Sequence, residues 1–341
     1  MPEEQKETEV VRLAHGSGGE AMGRLIRELI LPRFDNPLLH ALGDSAVFEL
    51  PPGARLAFTT DSYVVDPVFF PGGDIGYLAV CGTVNDLAMA GARPLYLSAG
   101  LIVEEGLPMT DLERVLDSMA RAAGLAGVQI VAGDTKVVAR GAADKIFINT
   151  AGVGLVREGV SLGPERCRAG DAVLVSGPVG SHGIAVMAAR QDFGLETGLT
   201  SDVAPLAGQV QALLEACPGV RVMRDPTRGG LAGVLTEIAA AAGLGVELRE
   251  AAVPGKEAVR GACEILGFDP LFIANEGVFA AVVPAADSEI AVGALKQAGA
   301  AEAAWIGRLS GEDPGTVSVE TVVGGRRIVV PLGDELLPRI C

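Results

Sequence analysis

The run LYLSAGLIVEEGLPMTDLERVLDSMARAAGLAGVQIV, residues 95–131, decides the class of fold. Residues 95–103 read as a strand on their β-branched and aromatic content. Thr110 and Glu113 then stand at capping-box spacing, Leu112, Val115, Leu116 and Met119 recur at helical intervals, and a glycine closes a helix over 110–124. A second strand follows at 128–131.

The same alternation extends in both directions. Strands are expected at 46–50, 55–60 and 146–153, and a helix at 73–91, although glycines interrupt that helix. A helical pattern also covers 20–31. The polar stretch 157–171 looks like a boundary, beyond which a second unit opens with a strand at 172–176. Helical segments follow near 182–191, 205–216 and 230–243, with strands near 246–249, 278–283, 316–322 and 327–330. Such interleaving indicates an α/β or α+β protein, without strict repeats or low-complexity tracts. The units are 1–159 and 160–330. The tail 331–341 contains Gly and Pro, which favour a mobile end over a compact continuation of the core.

Hydrophobic residues make up 49% of the 341 and charged residues 21%, the balance of a folded globular chain. The 27 Lys and Arg face 43 Asp and Glu, giving a net charge of -16. That field repels nucleic acid and anionic lipid and attracts divalent cations wherever carboxylates cluster. No apolar run is long enough to span a membrane and the N-terminus has no signal pattern, so a cytoplasmic protein is expected. The five cysteines include no C-x-x-C pair and suggest neither a disulfide framework nor a zinc site. Four read as ordinary buried thiols, whereas Cys341 ends the chain.

Four aspartates interrupt apolar or small-residue contexts: Asp44 in LGDSAV, Asp61 in FTTDSYVVDP, Asp86 in GTVNDLAMAGA and Asp134 in VAGDTKVV. A buried charge in such a setting is costly unless it meets a cation or hydrogen-bond donors. Each alone could cap a helix or turn; four converging would cage a divalent ion, and with phosphate nearby that ion is Mg²⁺. His15-Gly16-Ser17-Gly18-Gly19 precedes a helical pattern, and backbone N–H groups of such a loop can surround phosphate, as can those of a plain flexible turn. In DPTRGG, 225–230, Thr227 could cap the next helix and Arg228 could clamp a phosphate, or the motif is an ordinary helix start. Glu276, between apolar runs, is either structurally paired or raised in pKa for proton transfer. Lys136 either stabilises developing negative charge or pairs with a neighbouring carboxylate. His15 and His182 lack partners at metal-ligand spacing and suit buried or capping roles.

Taken in order, HGSGG, GDSAV, TTDSYVV, NDLAMAGARP, GDTKVV, DPTRGGL, NEG and the terminal PRIC resemble the HypE family of hydrogenase maturation enzymes over essentially the whole chain. The central motifs are shared with the superfamily of aminoimidazole ribonucleotide synthetase, selenophosphate synthetase and thiamine-monophosphate kinase; PRIC discriminates. The resemblance implies a two-domain aminoimidazole ribonucleotide synthetase-like α/β fold whose N-terminal domain builds an intersubunit β-barrel in a homodimer. It implies that a HypF-like carbamoyltransferase carbamoylates Cys341, that ATP drives dehydration of this group to a thiocyanate, and that the cyanide passes to iron on a HypC/HypD-like assembly complex. By the same resemblance Asp44, Asp61, Asp86 and Asp134 hold Mg²⁺ and nucleotide. Gly16, Ser17, Gly18, Gly19, Thr135 and Arg228 complete the ATP site, and Lys136 and Glu276 assist removal of the amide protons. The alternative is a superfamily member acting on a free small molecule, for which Cys341 is dispensable.

Overall fold

The computed structural model describes residues 9–17, 19–40, 42, 45–190, 198–330 and 339–341. The helical pattern at 20–31 forms as α1 (Glu20–Arg24), continues through a wider π-helical turn at Leu25–Ile30 and tightens at Leu31–Arg33. After α2 (Pro37–His40) come β1 (Leu56–Tyr63), the short hairpin of β2 (Phe69–Phe70) and β3 (Gly73–Asp74), α3 (Ile75–Met89), β4 (Ala92–Glu104), α4 (Met109–Ala126), β5 (Gln129–Val138) and β6 (Ile146–Val156). Four of these strands form one sheet in the order β1-β6-β4-β5. β4 and β5 run parallel, because α4 carries the chain back across the sheet between them.

Two local expectations in this half fail. Residues 46–50 join no sheet among the described residues. α4 begins one residue before Thr110, after Pro108 and without a side-chain cap, so the Thr110/Glu113 box does not form. The helix instead ends at Gly127, whose left-handed φ of 69° a glycine adopts without strain.

Of the α3 residues only Tyr77 and Asp86 escape full burial. Its glycines, each costing about 1 kcal/mol of helix propensity against alanine, permit close packing on both sides. A Cβ on Gly76 would stand 2.4 Å from the Val115 carbonyl of α4, and one on Gly82 would stand 2.3 Å from the Tyr63 hydroxyl of β1. The Asp74 carboxylate caps the helix, accepting from Gly76 N at 2.8 Å and Tyr77 N at 3.0 Å.

The second sheet comprises β7 (Ala172–Val175), β8 (Val222–Arg224), β9 (Gly245–Arg249), β10 (Ala280–Val283), β11 (Ala304–Ser310), β12 (Val317–Glu320) and β13 (Arg326–Val329). Its order is β13-β12-β9-β11-β7-β10-β8. The accompanying helices are α5 (Ser181–Ala189), α6 (Ala207–Ala216), α7 (Gly230–Ala242), α8 (Glu257–Leu266) and α9 (Ser288–Gln297). α7 covers one face, and α9 packs beneath β7 and β11 on the other. α6 bridges to α3, joining the helical layers of the two sheets. Among the described residues no helix is long and apolar enough to cross a membrane.

Candidate active site

The carboxylates singled out in the sequence divide between the two faces of the first sheet. Asp61 stands opposite Thr150, whose hydroxyl donates to the Ala79 carbonyl of α3 at 3.0 Å, so Asp61 shares the face that looks onto α3. Asp86 belongs to α3 itself and accepts a 2.8 Å hydrogen bond from Thr59, two residues from Asp61 on the same face.

Asp134 occupies the other face. It lies across from Gly100, Gly100 across from Asn149, and Asn149 across from Ser62. Three strand spacings, roughly 14 Å along a flat sheet, separate it from the Asp61 strand. Its partner is Lys136, whose Nζ is 2.6 Å from both carboxylate oxygens and holds the carboxyl below its ordinary range. Asp61, Asp86 and Asp134 therefore do not converge within one chain. Among the described residues, no three His, Cys, Asp or Glu side chains are arranged to hold a metal ion. Asp44 and Gly18 lie outside the described residues.

The glycine loop lies against β5. A Cβ on Gly16 would stand 2.4 Å from Val137 N, so only glycine lets the loop lie against β5 one residue beyond Lys136. Ser17 turns its hydroxyl onto the Ala14 carbonyl at 3.0 Å, and Gly19 leads into α1. Thr135 alternates to the buried face, away from Asp134 and Lys136. Asp134 and Lys136 form one group, with the glycine loop packed on Val137 beside them.

The second group gathers where the two sheets' layers meet. Burial, then the charges of Asp86 and Asp61, pushes the Asp225 carboxyl up to about 7. Burial likewise raises Asp86, against the hydrogen bond from Thr59. Glu276 is only 3% exposed, and its Oε1 has no hydrogen-bond partner among the described residues. Its pKa is raised well above the ordinary value by burial, then by Asp225, Asp202, Asp61 and Asp86. These carboxylates are oxygen donors of the kind a hard dication such as Mg²⁺ prefers, although no three of them stand at metal-holding distance among the described residues. Asn275 ties this loop to the DPTRGG turn, donating to the Pro226 carbonyl at 2.9 Å and accepting from Gly180 N at 2.6 Å. A cavity of about 690 Å³, lined among others by Asp86, Arg55, Phe58 and Arg224, opens beside Asp86. Arg228 is exposed at the start of α7, where Gly229 is the cap residue and Thr227 supplies no capping bond.

The end of the chain docks beside the strand that bears Asp61. Val64 N donates to the Cys341 carbonyl at 3.1 Å and Asp66 N to the Arg339 carbonyl at 3.3 Å, an antiparallel pairing with the segment that prolongs β1. Cys341 thus lies abreast of Val64, three residues from Asp61, and Ile340 is buried in the core. The mobile end expected from Gly and Pro is therefore not what residues 339–341 form; residues 331–338 lie outside the described residues. Asp225 and Asp202 were not read as functional in the sequence. Asp225 opens the very motif in which Arg228 drew attention, whereas nothing local marks Asp202.

The two α/β units are those of the AIR synthase-related class, as matches to its two domain models show. The model of the AIR synthase related protein N-terminal domain matches residues 42–156, and that of the C-terminal domain matches 168–320. Over 332 residues the chain is 50% identical to the carbamoyl dehydratase HypE of Azotobacter vinelandii, covering 97% of each. A crystal structure of the hydrogenase maturation protein HypE in complex with ATP superposes with a TM-score of 0.92 at 48% identity, covering 96% of this chain and 99% of that one. A chain from a HypE-HypF complex matches with a TM-score of 0.79 at 46% identity, covering 90% and 99%. The chain belongs to the HypE family of carbamoyl dehydratases, and it has the two-domain α/β fold of the AIR synthase-related class.

Proposed function

We propose that this enzyme uses ATP to dehydrate an S-carbamoyl group on its own Cys341 to a thiocyanate, supplying the cyanide ligand for the iron of [NiFe] hydrogenase. A HypF-like carbamoyltransferase loads Cys341, and a HypC/HypD-like complex receives the cyanide in the cytoplasm. The observation that carries this reading is the antiparallel docking of Arg339 and Cys341 onto Val64–Asp66, which brings the terminal cysteine to the end of the strand bearing Asp61.

An amide oxygen is a poor leaving group, and a phosphorylated one departs readily. Bound Mg²⁺ would neutralise the triphosphate and is assigned to Asp61 and Asp86, with Asp44 and Asp134 as further ligands. Glu276 is the candidate base for an amide proton; burial, then Asp225, Asp202, Asp61 and Asp86, raise its pKa, and Mg²⁺ held by Asp61 and Asp86 would remove the last two of these contributions. Phosphate leaves as the C≡N bond forms, and Lys136 stabilises the developing charge. Gly16, Ser17, Gly18 and Gly19 close over the phosphates and exclude water, Arg228 contacts the nucleotide, and the cavity beside Asp86 gives it space. In domain terms, 1–159 binds ATP and dimerises, 160–330 flanks the cleft, and 331–341 delivers the substrate.

The separation of Asp134 and Lys136 from Asp86 and Glu276 supports a homodimer in which each copy supplies one group. The face bearing Asp134 also leaves Leu56, Phe58 and Ile102 exposed, Phe58 at 72%. Apolar side chains collected on an uncovered sheet face favour burial against a second copy, as closure into an intersubunit barrel would achieve.

Intact-protein mass spectrometry after incubation with the carbamoyltransferase, carbamoyl phosphate and ATP tests the reaction. A carbamoyl adduct on Cys341 should lose one water's mass when Mg-ATP is present. An unmodified chain end, or full activity of Cys341→Ala, refutes the reading.

A further inference from the structure

The contacts that hold the chain end are made largely to its main chain. His182 of α5 is fully buried, and its Nε2 lies 2.8 Å from the Ile340 carbonyl oxygen, one residue before the terminal cysteine. A carbonyl only accepts, so Nε2 must carry the hydrogen. The other ring nitrogen, Nδ1, lies 2.8 Å from Ser201 Oγ, which also accepts from Val203 N at 3.0 Å. Ser201 therefore donates to Nδ1, and both ring nitrogens are satisfied in one neutral tautomer. Burial lowers the His182 pKa and keeps the ring neutral.

Two further grips flank this bond. The Arg190 guanidinium donates to the Asp66 carbonyl at 2.5 Å and to the Arg339 carbonyl, bridging the paired segments. The Arg339 side chain reaches Val64 O at 3.0 Å and Asp144 at 2.6 Å. Arg339 itself holds a φ of 54°, a conformation that costs a non-glycine residue energy and persists only when its surroundings impose it.

The segment that His182 contacts through Ser201 also reaches the candidate base. The neighbouring Asp202 accepts from Glu276 N at 3.2 Å and Gly277 N at 3.0 Å. The segment that seats the tail thus also holds the backbone of Glu276.

We propose that His182, as its Nε2–H tautomer fixed by Ser201, is the positioning residue that seats the chain end at the active site, with Asp144 recognising the Arg339 side chain. The inference rests on Cys341 being the group that is modified. It assigns His182 no contact with the reacting atoms.

The test is the rate at which iodoacetamide alkylates Cys341, read by peptide mass spectrometry, which needs neither ATP nor carbamoyltransferase. Cys81, Cys217 and Cys263 are buried and report the fold in the same spectra. Loss of one buried hydrogen bond should raise Cys341 alkylation about tenfold in His182→Phe, with the three buried thiols still protected. His182→Gln, which keeps a side-chain donor, should restore most of the protection. Asp144→Ala, at a half-exposed position, should raise alkylation roughly threefold and decides the matter if His182→Phe fails to fold. Cys341 alkylated at the wild-type rate in every folded variant overturns the proposal. In turnover, His182→Phe should lower the dehydration rate while leaving the KM for ATP unchanged, and a raised KM with unchanged kcat counts against it. Were the wild type to show no dehydration, the function would be refuted while the alkylation rates still judged the seat.

Discussion

Asn85 and Glu276, which belong to different sheets' layers, are joined directly: Asn85 Nδ2 donates to the Glu276 carbonyl at 3.2 Å and to the Ala204 carbonyl at 3.1 Å. Asn85 Oδ1 completes the clamp by accepting from Leu206 N at 2.8 Å. Asp86 follows Asn85 on α3, so the helix that presents one candidate metal ligand also sets the loop that presents the candidate base. Glu276→Gln keeps this main-chain bond and removes only the carboxylate. Dehydration should fall by about 10²–10⁴-fold while the carbamoyl adduct accumulates on Cys341, as intact mass would record. Undiminished thiocyanate formation would remove Glu276 from proton transfer.

Asp86→Asn leaves an acceptor for Thr59 but removes a charge. Nucleotide hydrolysis should drop at least about a hundredfold while Cys341 is still carbamoylated, measured by phosphate release and by mass. Retained hydrolysis takes Asp86 out of the metal site.

The two groups of site residues make a prediction about subunits. Asp86→Asn and Lys136→Ala homodimers should each be inactive, yet a mixture allowed to exchange should regain about a quarter of wild-type activity, because half the dimers then hold one intact site. No recovery in demonstrably mixed dimers would place both groups in a single chain's site.

The Asp225 carboxyl sets a pH dependence. Its folded pKa, about 7 against an ordinary 3.8, keeps a proton that the unfolded chain has already released. Stability of the metal-free protein therefore falls as pH rises through this window. Asp225→Asn should match wild type near the low end and exceed it by about 2 kcal/mol above the high end, read from urea unfolding. Equal pH slopes in the two proteins would show that Asp225 does not titrate this way.

Local periodicity carried much of the fold. The pattern at 95–131 became β4, α4 and β5, while the β2/β3 hairpin, β8, α8, α9 and β11 are not among the expected elements. Three-residue β8 is too short to show a period, and β11 alternates irregularly around a bulge at Trp305. Residues 46–50 have strand composition and no partner among the described residues, since composition does not guarantee a neighbour. In the site, Asp61, Asp86, Glu276 and Cys341 stood out as charges in apolar settings or as a chain end. Their number suggested one cage; cross-strand register instead put Asp134 on the opposite face.

The sequence by itself determined the alternation of strands and helices, the acidic motifs and the terminal cysteine, because spacing and composition act between near neighbours. Only the tertiary structure decided which carboxylates crowd together, that Asp225 joins them, and that His182 and Arg190 hold the tail. Arg339 meets Val64 across 275 residues of chain. Contacts at that range depend on strand register and burial, which no local pattern encodes.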